Sequence, residues 1–358
     1  SSCLSPLPCM WLSLVFALLP SWQQLREQLP SSCVQEPLCV DTKLQPDARP
    51  DKNRLTLFRE RNGWCPYSER VWLALEYKGL YEQCDVFLID NMGSRPNWFA
   101  GSTPQMQWPG ESRLQGESMD IIKSLDERYP SPPLYNAHTQ TAVAAFRDTF
   151  PRNARPSSRS AFLFSNQGDP LPRADFERTL DSVESLLVQG QREGQGEGQR
   201  GPFFCGAFSA ADCAFAPFLE RYAAQLPLLH SGLRVREGGG PRRPRLQAWF
   251  AAMDRPPLSF YPARVKGCDE SWGRVLGQAG FGNGGIVPQS LSSASTSTSE
   301  AATTAGATPT SAPSADAVWR HYAAARAFVA PTARTEVAAR IARNAEALVG
   351  DMQRTGAG

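Results

Sequence analysis

At 358 residues the chain has room for two ordinary domains with tails left over. Lys+Arg 37 against Asp+Glu 35 leaves a net charge of +2, which argues against a nucleic-acid surface or an acidic-membrane surface built on overall charge. The nine cysteines are odd in number, irregularly spaced and without C-x-x-C pairs, and the three histidines stand alone, so neither a disulfide scaffold nor a metal site is expected and a reducing compartment fits best.

In chain order, residues 1–50 read as a leader or a disordered extension: the apolar run from Met10 to Leu19 is too short to span a membrane and lacks a charged n-region before it. Arg54 to Glu60 alternates apolar and polar residues like a half-buried strand, and Asn62-Gly63 is a turn signal. A helix follows. Pro66 suits its first position, Val71, Trp72 and Leu75 recur on one face, and Lys78-Gly79 closes it. Cys65 therefore stands where a strand ends and a helix begins. The unpaired N–H groups of a first helical turn favour an anion, and a thiolate is the reactive form of cysteine, so Cys65 is the candidate nucleophile. Position 68 is serine, so no C-x-x-C partner can resolve a mixed disulfide and an external thiol is needed. The plainer alternative is a cysteine that caps a helix without chemistry.

Cys84 to Asp90 reads as a second, buried strand, followed by a short helix, a turn-rich stretch and a possible hairpin over Gly110 to Gln115. Ser118 is placed to start a helix whose apolar residues fall at 119, 121, 122 and 125. Tyr129-Pro-Ser-Pro-Pro133 is a linker by composition. Beyond it the pattern is helical, over 138–150, 173–188, 209–226 and 245–254, and Ser209 with Asp212 has the spacing of a capping box. Gly190 to Gly201 reads as a flexible loop. These signals divide the chain into a first domain over 51–130, a helical domain over 134–270, a low-complexity tether over 271–316 and an alanine-rich tail over 317–358, with two helical pieces interrupted by Pro331.

Several of these stretches, in the same order, resemble the glutathione transferase superfamily, and within it the cysteine-containing Lambda and Omega branch together with plant dehydroascorbate reductases. The resemblance covers about residues 54–270. It rests on Cys65-Pro-Tyr-Ser-Glu-Arg-Val-Trp72, Trp108-Pro109, Gly116-Glu-Ser-Met-Asp-Ile-Ile-Lys123, Gly201-Pro-Phe-Phe-Cys-Gly206 running into Ser209-x-x-Asp212, and Arg243-Pro-Arg-Leu-Gln-Ala-Trp249. It implies a thioredoxin-like α/β domain followed by an all-α domain, with glutathione as co-substrate beside Cys65, Pro66 and Tyr67 and no metal. It also implies that Pro109 is the cis-proline, that the backbone of Trp108 pairs with the peptide part of glutathione, and that Glu117 and Ser118 hold the ammonium and carboxylate of its γ-glutamyl end. Arg70 reads as structural. Two departures stand out: Trp108-Pro109 replaces the usual Val-Pro, and the hairpin after Pro109 is about three residues short.

The function implied is a glutathione-dependent thiol transferase or deglutathionylating reductase, with dehydroascorbate reductase as one form of it, acting through a mixed disulfide on Cys65 upon a small-molecule or glutathionylated acceptor. The alternative is a non-catalytic binding protein of the same fold. No nucleic acid and no stable membrane insertion are expected; monomer or homodimer stays open. The expected compartment is the cytoplasm, or the chloroplast if residues 1–50 belong to a targeting peptide.

Overall fold

The computed structural model describes residues 39–43, 45–91, 93, 95–151, 154, 162–165, 169–193, 201–230, 232–236, 242–266, 272, 319–320, 330, 332–343 and 345–355. Those from 39 to 272 belong to one compact unit and those from 319 onward to another, and each is described by itself.

The first unit begins with a four-stranded mixed sheet. Its strands are β1 (Cys39–Asp41), β2 (Thr56–Glu60), β3 (Asp85–Ile89) and β4 (Gln105–Gln107), in the order β1-β3-β2-β4. β3 runs parallel to both β1 and β2, and β4 is antiparallel to β2, with Gln107 opposite Thr56 and Gln105 opposite Phe58. Helix α1 (Pro66–Tyr77) supplies the crossover from β2 to β3, and α2 (Ser118–Arg128) follows β4 and packs on α1. Phe58, Phe87, Phe99 and Val40 form one buried cluster, with Trp98 packed edge-on against the three phenylalanines.

α1 is buried almost from end to end, Ser68, Glu69, Arg70 and Glu76 included, because α2 covers one side of it and the helical half covers another. A helix so enclosed must pair its polar side chains inside. Ser68 Oγ accepts from the Glu60 N–H at 3.5 Å, and Glu76 accepts from Trp72 Nε1 at 3.2 Å. Glu69 meets an arginine of the helical half, as described below.

The helical half consists of α3 (Thr139–Thr149), α4 (Arg173–Glu193), α5 (Ala210–Leu229) and α6 (Pro244–Met253). α5 is its axis and packs on α1, α2 and α3. Its start is fixed by a complete capping box: Ser209 accepts from the Ala211 N–H, and Asp212 accepts from the Ser209 N–H at 2.9 Å. Trp249 Nε1 and the Phe204 N–H also donate to Asp212, at 2.8 and 3.3 Å, so one carboxylate ties α5 to α6 and to the turn before it.

Four expectations are corrected. Residues 39–50 are not an extension: β1 completes the sheet, Arg61 pairs with Asp41 at 2.7 Å, and Trp98 donates to the Pro46 carbonyl. The leader proposed for the segment before them lies, over 1–38, outside the described residues. Among the described residues no short helix follows β3; a single 3₁₀ turn, Tyr81–Gln83, precedes it instead. Gly190 is not in a loop but inside α4, where a Cβ would sit 1.7 Å from the Phe204 carbonyl oxygen, so the helix approaches that turn too closely for any side chain. The fourth correction concerns the cis-proline and is given with the site.

In the second unit, α7 (Ala333–Arg343) and α8 (Ala345–Thr355) both follow Pro331, and the side chain of Glu336 accepts from the Ala330 N–H at 2.9 Å. Nearly all of the tether lies outside the described residues. Among the described residues no helix is long and apolar enough to cross a membrane.

Candidate functional site

Cys65 is the N-cap residue of α1, in extended conformation, and 4 % exposed. The turn that presents it is held on both sides. Glu60, the last residue of β2, accepts from the N–H groups of Asn62 and Trp64 at 2.8 and 2.7 Å, and Gly63 takes the positive φ of 76° that the turn requires. The Trp64 carbonyl, one bond from Cys65, accepts from Arg221 Nη2 of α5 at 3.1 Å. Arg221 also pairs with Glu69 Oε2 at 2.8 Å, and its guanidinium lies 4.0 Å from the ring of Trp272. Burial pushes the Glu69 carboxyl above its ordinary value, Arg221 opposing.

Across from Cys65 stands Thr103. The Cys65 Sγ lies 3.6 Å from the Thr103 carbonyl oxygen, and the Thr103–Pro104 peptide bond is cis. Asn91 Nδ2 donates to Thr103 Oγ1 at 2.8 Å, which fixes the threonine from the end of β3.

The cis bond expected at Pro109 is therefore at Pro104, and the backbone of Trp108 is not the strand edge that faces Cys65. The register makes this unavoidable. β4 runs antiparallel to β2, so the chain leaves the Cys65 end at Thr103 and has reached the opposite end of β2 by Gln107. Trp108 is five positions along the chain from Thr103, with the three strand residues Gln105–Gln107 between them, which span about 10 Å. Trp108 is 1 % exposed; its Nε1 donates to Gln115 Oε1 at 2.6 Å and Arg128 lies 4.5 Å from its ring, while Pro109 is exposed in the hairpin turn. Met106 pairs with Gln115 across the hairpin.

Glu117 and Ser118 stand at the start of α2, Glu117 as its N-cap. Glu117 is exposed and has φ 61° and ψ 106°, a conformation that side chains rarely adopt and that concentrates at functional sites. Ser118 is buried, and its Oγ accepts from Arg70 Nη1 at 3.4 Å. Tyr67 is half-buried beside these groups: burial raises its phenol, Arg70 lowers it, and the charges of Cys65 and Glu117 raise it again, so the four share one electrostatic environment. Pro66 is buried at the first helical position. Glu117 also lines a surface cleft of about 420 Å³ with Trp108, Arg113, Asp120 and Arg128, and Cys65 does not line it.

The structure thus brings Cys65, Pro66, Tyr67, Glu117 and Ser118 to one end of the sheet and leaves Trp108 and Pro109 at the other. Sequence reasoning assigns Thr103 no role, although Thr-Pro directly before an apolar-centred Gln-Met-Gln is the signal that marks it. Arg221 carries no motif and only its burial distinguishes it, whereas Arg70, read as structural, lies within the Cys65–Trp72 stretch. Among the described residues no group of three or more His, Cys, Asp or Glu side chains could hold a metal ion.

Two family models match the chain, in order: "Glutathione S-transferase, N-terminal domain" over residues 64–128 and "Glutathione S-transferase, C-terminal domain" over 173–252. Glutathione S-transferase L3 of Arabidopsis thaliana is 30% identical over 195 residues, which are 53% of this chain and 75% of that protein. Glutathione S-transferase L2, chloroplastic, of the same plant is 29% identical, over 53% of this chain and 60% of that protein. Among solved structures, Chlamydomonas reinhardtii dehydroascorbate reductase is 22% identical, covering 62% of this chain and 96% of that one, with a TM-score of 0.45. The two models in order, and a relative matched over three quarters of its length, identify the chain as a member of the glutathione S-transferase family.

Proposed function

We propose that this chain is a glutathione-dependent thiol transferase that works through a mixed disulfide on Cys65. The observation that carries the reading is the pairing of the Cys65 sulfur with the Thr103 backbone, 3.6 Å apart at the mouth of α1. The strand edge at Thr103 can take an added peptide backbone by strand pairing, which places the cysteine of γ-glutamyl-cysteinyl-glycine against Cys65. Glu117 and the hydroxyl of Ser118 then receive its ammonium and α-carboxylate.

The reaction balances in two exchanges. The Cys65 thiolate attacks the glutathione sulfur of a mixed disulfide, the S–S bond to the acceptor breaks, and the acceptor leaves as a thiolate that takes a proton. A second glutathione thiolate attacks the sulfur of that glutathione in the Cys65 adduct, releasing oxidised glutathione and restoring the Cys65 thiolate. With dehydroascorbate the Cys65 thiolate adds to a carbonyl carbon, a first glutathione thiolate attacks the Cys65 sulfur so that the C–S bond breaks and ascorbate leaves, and a second glutathione releases oxidised glutathione from the Cys65 adduct, the two glutathiones supplying the two electrons. The second step is assigned to glutathione because position 68 is serine and, among the described residues, burial raises the thiols of Cys84 and Cys213.

The enzyme reading is preferred to a binding protein of the same fold because Trp108 is buried and donates to Gln115 instead of lining the Cys65 end. The test is turnover of a small glutathionylated disulfide with reduced glutathione. Cys65→Ser should abolish it while Cys39→Ser leaves it intact; undiminished turnover by Cys65→Ser overturns the proposal.

A further inference from the structure

Arg70 lies five residues after Cys65 on α1 and is 4 % exposed. Among the described residues no carboxylate pairs with it. Nε donates to the Ala214 carbonyl at 3.0 Å and Nη1 to Ser118 Oγ at 3.4 Å, while Nη2 is buried without a hydrogen-bond partner. Three rings surround the guanidinium: Phe146 at 4.3 Å, Tyr67 at 5.0 Å and Phe218 at 5.1 Å. Burial lowers its pKa to about 10, so it remains a cation at neutral pH. Glu69, one residue earlier, shows the contrast: it is as buried, and it is matched by Arg221.

A buried cation without an anion is expensive, and its guanidinium already points at the residue that starts α2. A serine hydroxyl has one hydrogen. With Arg70 Nη1 donating to the Ser118 oxygen, that hydrogen is turned away from Arg70 and is free to be donated outward. The first-turn N–H groups of α2 favour an anion in the same place. Glu117 stands beside it as the site for a cation.

We propose that Arg70 is the hidden counter-charge for a carboxylate bound at Ser118, acting through the Ser118 hydroxyl, and so sets the preference for a γ-glutamyl end that carries an α-carboxylate. The inference rests on the reading of glutathione as co-substrate. Arg70 is a positioning residue in this account: it polarises and orients Ser118, and the ligand touches the serine. The missing anion arrives with the co-substrate, which explains why a cation with no protein partner is retained on the helix that begins at Cys65.

The test uses the full chain in a Cys65→Ser background, so that binding is not confounded by disulfide formation, and calorimetric titration with three ligands. Glutathione carries both the α-ammonium and the α-carboxylate. Glutaryl-cysteinyl-glycine keeps the carboxylate and lacks the ammonium; 4-aminobutyryl-cysteinyl-glycine keeps the ammonium and lacks the carboxylate. Arg70→Met should weaken the first two about tenfold or more, since both carry the carboxylate, and leave the third unchanged. Arg70→Lys, which keeps the charge but loses the fork, should give an intermediate loss with the same ligand pattern, and it serves where the methionine variant fails to fold. Ser118→Ala should erase the discrimination with Arg70 still present. Equal weakening of all three ligands, or of none, overturns the inference. Failure of the Arg70-intact Cys65→Ser protein to bind glutathione overturns the functional reading itself.

Discussion

Replacing Arg221 with methionine tests how the helical half holds the turn that presents Cys65. The Arg221 side chain is 0 % and that of Glu69 5 % exposed, and their contact is 2.8 Å. Removing one partner of so buried a pair leaves an uncompensated charge, a loss of about 3–5 kcal/mol. That is a large share of the 5–15 kcal/mol that usually holds a domain folded. The loss should depend on pH, with a definite sign. Burial already raises Glu69 above its ordinary 4.5 in the folded protein. A carboxyl whose folded pKa exceeds its unfolded one binds more protons in the native state, so its stability contribution declines as pH rises through the unfolded value. Without Arg221 the opposing pull is gone and the decline steepens. Urea unfolding at pH 5.5 and pH 8 should therefore show Arg221→Met far more damaged at the higher pH, and Glu69→Gln combined with Arg221→Met should recover at least half of the loss there. The double variant should still turn over slowly, since the Trp64 carbonyl next to Cys65 has also lost its donor. Equal destabilisation at both pH values, unrelieved by Glu69→Gln, would refute the reasoning.

Three further outcomes follow from other parts of the fold. Gly190→Ala should improve helix propensity by about 1 kcal/mol, yet the 1.7 Å approach of its Cβ to the Phe204 carbonyl outweighs that, so thermal unfolding should move down by several degrees; a more stable variant would contradict the close approach. Glu117→Gly should relieve backbone strain of about 1 kcal/mol and raise stability while weakening glutathione binding, and calorimetry showing unchanged affinity would remove Glu117 from the site. Burial raises Asp212 to about 6 despite its four donors, so the wild type should lose stability as pH rises from about 4 to 6. Asp212→Asn should be less stable overall and lack that slope; parallel stability curves would show that Asp212 does not titrate there.

Much of the fold was legible because its signals are local. Pro66, the apolar face of α1 and the Ser209-x-x-Asp212 spacing act within one or two turns, and the helices lie within a few residues of their expected bounds. The Cys65 end of the site was legible for the same reason. The rest depends on register. Thr103-Pro104 and Trp108-Pro109 stand five residues apart with only Gln-Met-Gln as strand between them, and nothing in composition says which Xaa-Pro faces the helix. Hydrogen bonding of β4 to β2 decides it, and that is a non-local fact. β1 is three residues long, too short to show alternation, and forms because β3 offers it an edge. Arg70 and Arg221 resemble any surface arginine of an amphipathic helix until two halves of the chain close over them. A cation reveals itself as buried only through tertiary packing.

The central claim is that Cys65 alone carries the exchange, and it is tested most directly by peptide mapping. The protein is incubated with oxidised glutathione, and each cysteine-containing peptide is weighed by mass spectrometry. The account predicts a glutathione adduct on the peptide containing Cys65, removed by reduced glutathione, with the buried Cys84 and Cys213 untouched. An unmodified Cys65 beside an adduct on the exposed Cys39, or on any other cysteine, would contradict it.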